Sequence, residues 1–108
     1  MAKVGADLSP QAPVVENEKG GRQSAYPYRF DLIDAAAMFE LARIVSYGAD
    51  KHGANNWRSI DTLDHINRAI GHLYAHLAGD TQDDHLAHAL CRVMMAMAKH
   101  MEEGKNGQ

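Results

Sequence analysis

The sequence predicts an all-α fold: a small helical bundle in which an antiparallel helix hairpin, residues 61–101, packs on a preceding helix, 35–51, behind a flexible N-terminal arm. Three observations carry this. From Ala35 onward, apolar residues recur at three- and four-residue spacing and do not alternate. All three prolines, Pro10, Pro13 and Pro27, precede Phe30, so nothing downstream breaks a helix. The periodic stretches are separated by short glycine-containing connections, around Gly53 and Gly79.

Residues 1–29 lack a repeating apolar pattern and read as the flexible arm. Residues 30–103 form one all-α domain, and 104–108 a disordered tail. Asp34 suits an N-cap, since a carboxylate there accepts orphan backbone N–H groups and meets the positive end of the helix dipole. The helix it opens runs over 35–51, with Met38, Leu41, Ala42 and Val45 as an apolar stripe and Glu40, Ile44, Tyr47 and Lys51 beside it. Asp61 or Thr62 caps a second helix over 63–78, whose stripe is Leu63, Ile66, Ile70, Leu73 and Leu77. Asp83 or Asp84 caps a third over 85–102, with Leu86, Leu90, Val93, Met97 and Met101. So short a connection folds the last two helices back antiparallel.

The totals exclude several classes. With 108 residues, one domain is the expectation, with a core small enough that self-association would help complete it. A formal charge of −3 argues against a broad nucleic-acid footprint, but leaves room for a small anion neutralised by a metal. The single cysteine, Cys91, precludes an intrachain disulfide or a thiolate zinc cluster and fits a reducing compartment. The longest strictly apolar run, Val93–Ala98, is far short of the ~20 residues that span a bilayer. Charged residues interrupt the first twenty positions, so a signal peptide is not expected. There is no phosphate-binding glycine loop and no serine elbow, and Cys91 lacks an activating neighbour.

The placement of the seven histidines is more informative. At about 100° per residue, His65, Arg68, His72 and His76 share one strip of the second helix, and His85, His88 and Arg92 share one strip of the third. Both strips are expected at the border between core and solvent. The antiparallel turn gathers His76, His85, His88, Asp80, Asp83 and Asp84 at one end, with His72 about one turn (~5.4 Å) deeper. Imidazoles and carboxylates mixed at these spacings make a candidate divalent-metal site of His72, His85 and His88 with an acid. The plainer account stands beside it: a border histidine fills an amphipathic face, and Asp83 and Asp84 cap a helix.

Glu40, the carboxylate in the body of the first helix, either completes a metal shell or pairs with Arg43 on the surface. Lys51, Arg43 and Arg92 either meet phosphate oxygens or form a solvated face. Asn55 and Asn56 either read a base edge or shape a turn; Trp57 is expected to plug the core.

Four segments, GGRQS at Gly20–Ser24, RFDLID at Arg29–Asp34, YGADKHGANNW at Tyr47–Trp57 and AHLAGDTQDDHLAHAL at Ala75–Leu90, resemble the phage-associated dATP/dGTP diphosphohydrolase N-terminal domain family, relatives of the MazG-like all-α nucleotide pyrophosphohydrolases. The likeness extends over roughly residues 20–97. It implies hydrolysis of a (deoxy)nucleoside triphosphate, dATP or dGTP, to monophosphate and pyrophosphate with Mg²⁺ or Mn²⁺. It also implies a homodimer or higher homo-oligomer in the cytoplasm of a bacterium or a phage-infected cell. The chain departs from the MazG pattern of E-E-x-x-E on one helix and E-x-x-D on the next: the second place holds His85-x-x-His88, and the first has no glutamate pair. A histidine-rich shell suits Mn²⁺ or Zn²⁺ better than Mg²⁺.

The expected site is therefore Glu40, Asp80 and Asp84 as catalytic carboxylates, Glu40, His72, His85 and His88 as metal ligands, and Lys51, Asn55, Asn56 and Arg92 as substrate contacts. Three functions compete: a metal-dependent nucleotide pyrophosphohydrolase, a non-catalytic nucleotide- or metal-binding module, and a structural helical oligomer. No membrane contact and no direct nucleic-acid binding are expected.

Overall fold

The computed structural model describes residues 11–106, which divide into two compact units at Ile33/Asp34. In the first, β1 (Val14–Glu16) pairs antiparallel with β2 (Arg22–Ser24), placing Val14 opposite Ser24 and Glu16 opposite Arg22. Asn17 builds the turn: its Oδ1 accepts from the backbone N–H groups of Lys19 and Gly21, each at 2.9 Å, and Gly20 supplies φ +82°. A one-turn 3₁₀ helix follows at Phe30–Leu32. The sequence reading expects a flexible arm here. Strands of three exposed residues are too short to show alternation, and a side-chain-built turn does not register in apolar periodicity. Residues 1–10 of that arm lie outside the described residues.

The second unit is all-helical: α1 (Ala35–His52), α2 (Thr62–Leu77) and α3 (His85–Asn106), with a 3₁₀ turn at Asn56–Ser59. Asp34 caps α1, its carboxylate accepting from the Ala37 N–H at 2.9 Å. Gly53 ends that helix at φ +96°. Asp61 precedes α2 in extended conformation without a side-chain cap bond. Before α3, the capping contact is long: the Asp84 carboxylate accepts from the Ala87 N–H at 3.4 Å. α3 continues to Asn106, past the start at 104 expected for a disordered tail. Its last turns are tied down, with Glu102 paired to Arg58 and Glu103 accepting from the Thr62 hydroxyl at 2.8 Å. No helix among the described residues is long and apolar enough to cross a membrane.

α3 is the central element, packed along α2 and against α1 and the Asn56–Ser59 turn. Ile44 of α1 meets Ala87 and Cys91 of α3, with Leu41, Val45 and Met95 around them. Ala69 on α2 and Ala89 and Ala96 on α3 are the other buried apolar residues. Small side chains let helix axes approach closely, but they bury little area each.

The apolar stripes expected to form the core do not. Leu63 is 78% exposed, Leu77 79%, Ile70 45% and Val93 45%, and the stripes of both hairpin helices are open along their whole length. The fully buried side chain is instead His65. Periodicity locates a stripe but not the partner it faces. Here the alanines, His65 and, in part, His72, His85 and His88 turn inward, and the large apolar residues of the hairpin turn out.

Candidate active-site cleft

A cleft of about 450 Å³ opens between the C-terminal half of α1, the loop around Gly53–Trp57, and α2 and α3. Its walls include the apolar side chains of Ile44, Trp57, Ile60 and Met95. Its polar groups include Lys51, Asn55, Asn56, Arg68, His72, Asp83, His88 and Arg92. The loop is shaped by Asn55 at φ 66°, a left-handed conformation that asparagine tolerates better than most residues. The Arg58 guanidinium lies 4.3 Å from the centre of the Trp57 ring, clamping the half-buried indole against the loop.

At one end of the cleft the histidine strips meet. The Nδ1 atoms of His72 and His85 are 2.9 Å apart, and the His72 ring stacks on His88 with centroids 4.9 Å apart and planes at 19°. His85 Nε2 contacts Asp80 Oδ2 at 2.5 Å, and His88 Nε2 contacts Asp83 Oδ1 at 3.2 Å. A carboxylate only accepts, so His85 donates to Asp80 from Nε2, and in the facing pair one Nδ1 donates to the other. Burial, and after it the neighbouring His88 and His85, hold the His72 pKa below the ordinary histidine value. Asp83 is held below the usual carboxylate range, first by the N–H of Asp84 and then by His88, His85 and His72. Both directions suit a cation: His72 favours its neutral imidazole and Asp83 its charged carboxylate.

One donor atom each from His72, Asp83 and His85 lies within 4.8 Å of the others. Two imidazole nitrogens and a carboxylate oxygen fit a divalent ion of the Mn²⁺ or Zn²⁺ type, and Asp80 behind His85 completes the carboxylate–imidazole pairing usual for metal-bound histidine.

The structure brings together His72, His85 and His88 with Asp80, and places Lys51, Asn55, Asn56 and Arg92 around one cleft. It does not bring Glu40 or Asp84 into that lining. Both carboxylates bond to the same Arg43 guanidinium, each at 2.8 Å, on the exposed surface. Glu40 stands one turn before Ile44, where the cleft lining of α1 begins, so it faces the start of α3 and not the cleft. Of the two roles expected for Glu40, the structure shows the surface pairing with Arg43. Sequence reasoning treated Asp83 as a cap and did not place it among the ligands; its spacing of two and five residues from His85 and His88 is the signal that could have found it. His65 was seen only as a member of a strip.

Among curated proteins and among solved structures, no relative matches the chain. The chain matches the family described as "dATP/dGTP diphosphohydrolase, N-terminal" over residues 17–108, and it belongs to that family. The class is thus a small all-α domain carrying an imidazole–carboxylate cluster beside a cationic cleft.

Proposed function

We propose that the cleft hydrolyses a deoxynucleoside triphosphate, dATP or dGTP, to the monophosphate and pyrophosphate with the help of a divalent cation. The observation that carries this reading is the meeting, in a member of this family, of the His72–Asp83–His85 donor set with the uncompensated cations Lys51 and Arg92. Neither forms an ion pair with a carboxylate among the described residues. His72, Asp83 and His85 would hold the ion, with His88 bracing Asp83 and Asp80 bracing His85. A divalent ion supplies charge neutralisation on phosphate oxygens and makes water a better nucleophile. Arg92 and Lys51 bind the remaining phosphate charge. Asn55 and Asn56 offer amide donors and acceptors to a base edge, and Trp57 and Ile60 keep that end dry.

A homo-oligomer belongs to the same reading. The ten large apolar residues of the α2 and α3 stripes, each between 37% and 79% exposed, sum to several hundred Å², on the order of the largest apolar patch a monomer tolerates. A second copy of the chain is the occupant we propose for them.

The test incubates purified protein with each dNTP and with Mn²⁺, Mg²⁺ or Zn²⁺ in turn, and measures pyrophosphate. Release from dATP and dGTP that disappears in the His72→Ala/His85→Ala variant is the expected result. Metal or nucleotide raising the melting temperature with no pyrophosphate formed would replace this reading with that of a binding module.

A further inference from the structure

His65 has 0% exposure, yet its position on α2 does nothing for the metal cluster. Its two nitrogens join three elements. Nε2 lies 2.9 Å from the carbonyl oxygen of Trp57, in the loop that walls the cleft. Nδ1 lies 3.0 Å from Nη1 of Arg92, on α3. The partners dictate the proton's place. A carbonyl cannot donate, so Nε2 carries hydrogen; a guanidinium cannot accept, so Nδ1 is bare. The ring is neutral, in a single tautomer, with both nitrogens satisfied.

Arg92 lines the cleft and is half-buried. Burial, and then the nearby charge of Arg68, push its pKa below the ordinary arginine value. A guanidinium in such a place is usually held by a carboxylate, which orients it but cancels its charge. Here the hydrogen-bond partner is a neutral imidazole, which orients it and leaves the charge whole. Arg68, by contrast, already has Asp64 at 3.4 Å.

We infer that His65 is a positioning residue: it fixes the Arg92 guanidinium, uncompensated, as the receptor for an anionic phosphate group in the cleft, and locks the Trp57 loop to the same point. This rests on the proposed function for the ligand class, a polyphosphate, but not on turnover.

The test measures inorganic tripolyphosphate binding by calorimetry on the full chain, for wild type, His65→Phe, Arg92→Gln and the double variant. His65→Phe keeps ring volume and removes both hydrogen bonds. The expected result is that it weakens binding roughly tenfold, that Arg92→Gln does at least as much, and that the double variant is no weaker than Arg92→Gln alone. A purely structural histidine would cost the same in both backgrounds, and that result would overturn the inference, as would unweakened binding in His65→Phe. Should His65→Phe fail to fold, His65→Gln, whose amide can accept from Arg92, replaces it; its affinity should lie between wild type and Arg92→Gln. Nitrogen NMR of the wild type gives an independent check: His65 should show protonated Nε2 and bare Nδ1 at neutral pH, and the opposite tautomer would sink the idea. Wild type that binds no tripolyphosphate overturns this inference even if dNTPs are hydrolysed. Wild type that binds it but releases no pyrophosphate from any dNTP defeats the proposed function and leaves His65 in place.

Discussion

The two sides of the α2–α3 hairpin invert the usual division of labour. One side carries His65, His72, His85, His88 and Arg92, polar residues turned inward to bond one another. The other carries Leu63, Ile66, Ile70, Leu73 and Leu77 beside Leu86, Leu90, Val93, Met97 and Met101, apolar residues turned to solvent. At ~100° per residue the apolar stripe of α3 lies roughly opposite His88 and Arg92, and that of α2 roughly opposite Arg68 and His72. Both stripes therefore lie on one face, away from the cleft. The difference teaches that burial within one copy of a chain is no guide to which surface is hydrophobic. A polar network can occupy the interior if every member finds a partner, and an apolar face can stay open if something else covers it.

The strongest challenge to this contrast is aimed at the apolar face. Ile70→Glu with Leu90→Glu places two charges at the middle of the face. If a second copy docks there, association should weaken by more than about a hundredfold, as for interface hot spots, and sedimentation should show a monomer. Wild type sedimenting as a monomer at tens of micromolar would remove the second copy.

The inward face is sharpened by metal. Mn²⁺ or Zn²⁺ should raise the melting temperature of the wild type by linkage, and His85→Ala should abolish the rise. Asp80→Asn leaves the donor set but loosens the carboxylate behind His85, so metal affinity should fall by about 10–100-fold, measured by titration. Identical metal responses in all three proteins would place the ion elsewhere.

A smaller effect follows from pH. The fold holds the His72 pKa below its unfolded value of about 6.5, so the native state binds fewer protons than the unfolded one as pH falls through that value. This contribution to stability is present above pH ~6.5 and is lost progressively below it. Urea midpoints in metal-free buffer should be lower at pH 5.5 than at pH 7.5, and the difference should shrink in His72→Gln.

The smallest effect is expected at Glu40. Glu40→Gln removes one arm of an exposed ion pair, so melting temperature should barely move and pyrophosphate release should change by less than about twofold. A large loss of turnover would return Glu40 to the active site.

The helices were legible to within a few residues, because caps such as Asp34 and the stop at Gly53 act locally. The convergence of His72, His85 and His88 was legible too, since antiparallel geometry and helical period determine it. What sequence could not supply was which side faces inward. Alanines at 69, 87, 89 and 96 are invisible to a reading that weights large apolar residues, yet they are buried in the hairpin helices. Glu40 lies outside the cleft lining for a related reason: helical phase identifies its face, but the height of the cleft along α1 comes from tertiary packing. Asp83 was placed at the same end of the hairpin but not singled out as a ligand, because capping already explained it.

The open stripe on α2 and α3 bears on supply as well as shape. If a second copy covers it, folding becomes a second-order process, and the folded fraction rises with the amount of chain made. Halving synthesis would then cost more than half the working protein, and a diluted sample would lose activity over time without any chemical damage. The face that contributes nothing to the cleft would thereby set how many copies a cell must make before the cleft is of any use.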